Sequence, residues 1–157
     1  MTARPVPISR HLSLIYRYSQ RYFSARLREF PLEAGQFPLL LQLFRHPDVT
    51  QEQLSQRLAL DKATTARAAA QLLAQGLIER RADPEDRRAY RLSPTARALA
   101  LEEQLFSIAG DLQEVLFRGM TPAERQAASD LVVRMAGNLS ACLGEWHPGN
   151  CCGGRHL

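Results

Sequence analysis

Two helix-start signals in close succession, within residues 49–61, restrict the architecture of this chain more than any other feature. In Val49-Thr50-Gln51-Glu52-Gln53-Leu54 a Thr stands three residues ahead of a Gln, the reciprocal pair of a capping box, while Val49 and Leu54 occupy the positions of a hydrophobic staple. A helix therefore starts at Gln51. It runs to about Leu58, because after Ala59-Leu60 the carboxylate of Asp61 offers a second N-cap, opening a helix that continues to Gln75 and stops at Gly76. Two helices thus flank a tight turn. On the second, Thr65, Ala69, Leu72 and Leu73 share one face and Lys62, Ala63, Ala66, Arg67 and Ala70 another, so one face packs and the other is free.

The pattern then changes. Leu77-Ile78-Glu79-Arg80-Arg81, the turn-rich Asp83-Pro84-Glu85-Asp86 and Arg87-Arg88-Ala89-Tyr90-Arg91-Leu92 read as strand, tip and returning strand, a two-stranded hairpin with arginines at its tip. Upstream, Ile8, Leu12, Ile15, Tyr16, Tyr22, Phe23 and Leu27 recur at helical spacing, predicting an amphipathic helix over roughly 8–29. Gln36 to Arg45 reads as a second, strongly apolar helix, with Pro38 in its first turn where no helical N–H partner is lost. Downstream, one long helix is expected from Thr95 to Phe117, ended by Gly119. The Thr121-Pro122-Ala123-Glu124 capping box then opens a last helix carrying Leu131, Met135, Leu139, Cys142, Leu143 and Trp146.

Charge is uneven along this frame. Residues 1–30 hold six Arg against one Glu and residues 50–100 hold nine Lys or Arg against six acids, whereas residues 101–157 hold four Arg against seven acids. Positive charge concentrated on particular elements suits a polyanion-binding surface, and nucleic acid is the first partner to consider. A 45% apolar composition supports a real core. No apolar run reaches membrane-spanning length and no export signal is visible, so a soluble cytoplasmic protein without a membrane role is expected. Cys142, Cys151 and Cys152 imply no disulfide framework. The tail donors His147, Cys151, Cys152 and His156 match no structural zinc spacing, and no metal is assigned. No glycine-rich phosphate loop, nucleophile elbow or metal cluster is present, so neither an enzyme nor a cofactor is expected.

Helix, turn, helix and hairpin in this order form a winged helix-turn-helix, whose second helix fits a major groove about 12 Å wide. Gln36-Phe37-Pro38-Leu39-Leu40, Thr50-Gln51-Glu52-Gln53-Leu54, Asp61-Lys62-Ala63-Thr64-Thr65-Ala66-Arg67 and Gly76-Leu77-Ile78-Glu79-Arg80 resemble successive blocks of the MarR family. The hairpin stretch Asp83-Pro84-Glu85-Asp86-Arg87-Arg88-Ala89 is similar to that family's wing signature. Pro94 and Ala98 depart from the family's usual Leu and Gly there, and neither change disturbs the wing.

The resemblance implies a mainly α fold: a winged helix-turn-helix with a two-stranded β-wing, and a helical dimerisation region built from the N- and C-terminal helices. Residues 1–35 would form the N-terminal dimerisation helix, 36–94 the DNA-binding region, 95–147 the C-terminal dimerisation helices and 148–157 a flexible tail. The implied function is a transcriptional regulator, a repressor released by a small effector, that binds a pseudo-palindromic operator in double-stranded DNA as a homodimer. Long amphipathic end helices point to the same self-association, since their second apolar stripe needs cover.

Within that frame Arg67 is placed on a guanine edge or a phosphate, with Lys62 and Thr64 near the helix N-terminus on phosphate or base edges. Arg88 is placed in a minor groove with Asp86 steadying its side chain, and Arg87 on backbone phosphates. Family members often respond to aromatic or phenolic effectors, and Tyr16, Tyr22, Phe23 and Phe37 are the candidate lining. The same aromatics at helical spacing also suit core or interface. Two other readings compete with operator binding by effector release: a winged-helix protein-interaction module, and a repressor sensing thiol oxidation through its C-terminal cysteines.

Overall fold

The structure, a computed structural model, describes residues 7–86 and 88–144. It is mainly helical with one small antiparallel sheet, a winged-helix arrangement. The chain divides into two units, residues 1–112 and 113–157.

The first unit opens with α1 (Ile8–Arg26) and α2 (Phe37–Arg45). α1 ends three residues before its expected limit, its last turn closed by the Leu27 N–H on the Phe23 carbonyl. α2 is the centre of the core, with Phe37, Leu39, Leu40 and Leu43 all buried. Such a helix is apolar on several sides because neighbours cover it on several sides. Pro38 sits in its first turn, as its missing N–H requires.

The two expected caps direct the next elements. The Thr50 hydroxyl accepts the Gln53 N–H at 3.2 Å and the Gln53 side chain accepts the Thr50 N–H at 2.9 Å, starting α3 (Gln51–Leu58). Ala59 in the left-handed region, φ 50°, turns the chain toward Asp61, which caps α4 (Lys62–Ala74). Thr65, Ala68, Ala69 and Leu72 bury one face of α4 against the core. Gly76, at φ 68°, ends the helix in a conformation that L side chains disfavour.

The hairpin forms as β2 (Ile78–Ala82) and β3 (Tyr90–Pro94), in a register that sets Arg80 opposite Leu92 and Arg81 opposite Arg91. Pro94 closes β3 opposite Ile78, where a strand end tolerates a missing donor. The sheet has a third strand that the two-stranded reading lacks: β1 (Val49–Thr50) pairs with β3, giving the order β1-β3-β2. Two residues are too few to show alternation, and local pattern presents Val49 and Thr50 only as staple and cap.

The single helix expected over Thr95–Phe117 is instead α5 (Ala96–Leu99) and α6 (Glu102–Leu116). At the break the Leu101 N–H bonds the Ala98 carbonyl, one residue closer than in an α-helix. A single tightened turn keeps Ala98, Leu101, Leu105 and Ile108 on the core side, so apolar spacing cannot register it.

The unit boundary falls within α6. In the second unit the Thr121–Glu124 capping box starts α7 (Pro122–Cys142), and Arg125 reaches both Glu114 carboxylate oxygens at 3.0 Å. Cys142 is exposed. The calls on Trp146, His147, Cys151, Cys152 and His156 lie outside the described residues, as does that on Arg87. No helix among the described residues is long and apolar enough to cross a membrane.

Candidate nucleic-acid interface

α4 is fixed in position from three sides. Gln36, at the start of α2, is buried, and its amide donates to the Gln71 side chain at 3.1 Å while accepting the Glu33 N–H. At the other end of α4, Arg97 donates to the Gln75 carbonyl at 2.7 Å, a cation on the negative pole of the helix. The buried face completes the hold, which sets the rotation of the helix and hence which residues look outward.

Those outward residues include the three expected ones. Lys62 is 81% exposed and pairs with Glu52 at 3.3 Å. An exposed pair of this kind contributes about 0–1 kcal/mol, so a phosphate can displace the carboxylate. Arg67 is exposed and donates to the Thr64 hydroxyl at 3.2 Å, while that hydroxyl donates to the Asp61 carboxylate at 2.7 Å. The Thr64 hydroxyl and backbone N–H, both donating to Asp61, hold its pKa below the usual carboxylate range. Asp61 therefore stays ionised and anchors the Arg67–Thr64–Asp61 chain at the helix N-terminus.

The wing stands beside this helix. Asp83 is 7% exposed; its carboxylate accepts the Glu85 N–H at 2.9 Å and the Arg91 Nε at 3.0 Å, and its N–H donates to the Ala89 carbonyl. The Glu85 N–H and the Arg91 guanidinium lower its pKa. Asp86 accepts the Arg88 backbone N–H at 2.9 Å, so the hydrogen bond between these two residues runs to the backbone of Arg88, where the family resemblance placed it on the side chain. Arg88 itself is exposed.

A groove of about 530 Å³ runs between α4 and the wing, with Lys62, Ala66 and Ala70 on one wall and Arg80, Arg88 and Tyr90 on the other. Arg80 lies over the Tyr90 ring, 4.8 Å from its centroid. The sequence reading passed over this stack because Arg80 and Tyr90 belong to different strands and meet only through the register. The acids on the groove are occupied: Glu52 by Lys62, Asp83 by Arg91 and Glu85, and Asp86 by the turn it supports. Of its cationic side chains, Lys62 is held by a carboxylate and Arg80 by an aromatic ring.

The candidate effector residues lie elsewhere. Phe23 and Phe37 are in contact, with centroids 4.7 Å apart, and Tyr22 meets Phe23 edge-on at 6.0 Å. Phe37 is buried, Tyr22 and Phe23 half-buried, and Tyr16 is 65% exposed.

Comparison with known proteins agrees with this geometry. The model of the MarR family matches residues 30–89. The uncharacterized HTH-type transcriptional regulator YybA of Bacillus subtilis (strain 168) is 26% identical over 132 residues, which is 84% of this chain and 88% of that protein. Among solved structures, a MarR transcriptional regulator from Methanosarcina mazei Go1 is 35% identical, covering 83% of this chain and 94% of its own, with a TM-score of 0.79. A mutant MarR from E. coli complexed with operator DNA shares the fold, with a TM-score of 0.75 at 24% identity over 83% of this chain and 94% of its own.

Proposed function

The chain belongs to the MarR family of transcriptional regulators, and from that premise we propose that it is a homodimeric repressor that reads a pseudo-palindromic operator in double-stranded DNA. The observation that carries this reading is the pairing of two cationic features: a helix buried on one face that offers Lys62 to the groove and an exposed Arg67 outside it, and a wing that offers Arg80 and Arg88 to the same groove. Arg67 would fork onto a guanine edge or phosphate, with Lys62 and Thr64 on the backbone beside it. Arg88 would enter the adjacent minor groove, with Arg87 on phosphate and Asp86 holding the tip turn.

Dimerisation is supported by two helices that little in their own chain covers. α1 spans 19 residues and α7 spans 21, and neither buries a single side chain. Helices of that length in water depend on tertiary packing of an apolar face. Ile8, Ile15 and Tyr16 on α1, and Leu131, Val132 and Leu139 on α7, are all exposed and would be buried by a second copy. Residues 1–35 and 95–147 would then pair the chains while 36–94 reads DNA, setting two recognition helices roughly 34 Å apart in successive major grooves. Release by a small aromatic or phenolic effector would act through Tyr16, Tyr22, Phe23 and Phe37, of which the last three form one aromatic cluster.

Arg88→Ala tests the wing. It is expected to weaken operator binding by about 1–3 kcal/mol in a fluorescence anisotropy titration while leaving the urea unfolding midpoint unchanged. Unaltered affinity at physiological salt would contradict the assignment.

A further inference from the structure

The wing's strands set two like charges against each other. Arg81 on β2 and Arg91 on β3 are direct partners in the antiparallel register, an arrangement that by itself destabilises a strand pair. Both guanidinium groups converge on one residue outside the hairpin, Asp48. Its Oδ1 accepts from Arg81 at 2.9 Å, and its Oδ2 lies 3.8 Å from Arg91. Its backbone carbonyl accepts from Arg91 Nη1 at 3.1 Å and its N–H donates to the Ser93 hydroxyl at 3.2 Å. Each polar group of Asp48 is therefore engaged with the wing strands. Asp48 adopts φ 62°, a left-handed conformation that Asp and Asn tolerate better than most residues, and it immediately precedes β1, whose second residue caps α3.

We infer that Asp48 is a positioning residue for DNA binding: a clasp that neutralises the opposed Arg81 and Arg91 and ties the wing to the start of the helix-turn-helix, so that groove helix and wing tip meet DNA in one fixed relation. The inference rests on the DNA-binding reading above. Asp48 touches no DNA in this scheme. Its effect is transmitted through the two arginines and through Asp83, which holds the other side of Arg91.

The sign of the effect separates positioning from simple charge. Deleting an acid near a polyanion site raises affinity if only the electrostatic field matters. Loss of the clasp instead lowers affinity for duplex DNA, by about tenfold, because the wing no longer waits in register with the helix. Asp48→Asn is the variant of choice, since Asn keeps the left-handed backbone available. Two measurements decide: anisotropy with duplex selected by the wild-type chain at matched salt, and amide hydrogen exchange of the free protein across residues 78–94. The expected result is faster exchange in β2 and β3, weaker duplex binding, and partial recovery of exchange protection in the Asp48→Asn, Arg81→Gln double variant, where one of the opposed cations is gone. Unchanged exchange overturns the clasp, and affinity equal to or above wild type overturns its positioning role. Should Asp48→Asn not fold, Asp48→Gly also removes the carboxylate, keeps the left-handed backbone accessible and leaves both arginines opposed, and is judged by exchange in the same way. If the wild-type chain itself ignores duplex DNA, the regulator reading fails, while the exchange comparison still decides the clasp.

Discussion

Protonation governs how Asp83 holds the wing. Its carboxylate accepts one backbone N–H and one guanidinium donor, and both favour the charged form, lowering the folded-state pKa below the ordinary value of about 3.9. A carboxylate with a depressed folded pKa contributes stability that is present above the unfolded value and lost as pH falls through the folded one. Asp83→Asn should therefore unfold more readily than wild type near neutral pH, and the gap should close as the solution is acidified below about pH 4. Chemical denaturation at a series of pH values checks this, and a gap independent of pH would remove the ionised contact from the account. The same logic explains the resting state of the recognition helix. Arg67 is held by Thr64, and Thr64 by an ionised Asp61, so the guanidinium is presented to solvent with its rotamers already narrowed. In the proposed complex Arg67 would exchange a bond to a neutral hydroxyl for one to a phosphate or a guanine edge.

At the scale of elements, Thr50 does two tasks at once, ending β1 and capping α3. Thr50→Ala removes the hydroxyl that accepts the Gln53 N–H, and should cost roughly 0.5–2 kcal/mol in equilibrium unfolding. The helix affected is the first of the helix-turn-helix, so the loss should also lower DNA affinity; an unchanged unfolding midpoint would mean that the cap contributes nothing. Local signals of this type were what the sequence displayed best. Thr50, Asp61 and Thr121 each bond backbone N–H groups within three residues, so their chemistry is complete in a short window, and all three helices start where those residues stand. The misses have the opposite character. β1 exists only because Leu92 and Arg91, some forty residues on, pair with Val49 and Thr50. The split between α5 and α6 leaves the apolar facing of Ala98, Leu101 and Leu105 intact, so no periodicity betrays it. In the site, Lys62, Thr64, Arg67 and Arg88 could be singled out from one helix face and one turn. Arg80 on Tyr90, and Asp48 between two arginines, depend on strand register and chain reversal, which residue order does not display.

For the molecule as a whole, basic and acidic stretches divide the labour along the chain. Residues 50–100 carry nine Lys or Arg against six acids, and residues 101–157 carry four against seven. The first stretch contains the groove between α4 and the wing, onto which Lys62, Arg80 and Arg88 face. The second contains α7, whose Leu131, Val132 and Leu139 are exposed and would be covered in the proposed homodimer. Duplication matters to function because a single winged motif contacts too little DNA to specify a long site, whereas two related by a two-fold axis read both halves of a palindrome. The most direct test of this account is a titration of the purified chain into a labelled duplex, selected from random sequence, at salt concentrations from about 50 to 200 mM. The account predicts two chains per duplex and an affinity that falls about a hundredfold or more across that range, linearly in the logarithm of salt. Binding by a single chain, or no salt-dependent affinity for duplex DNA at all, would contradict it.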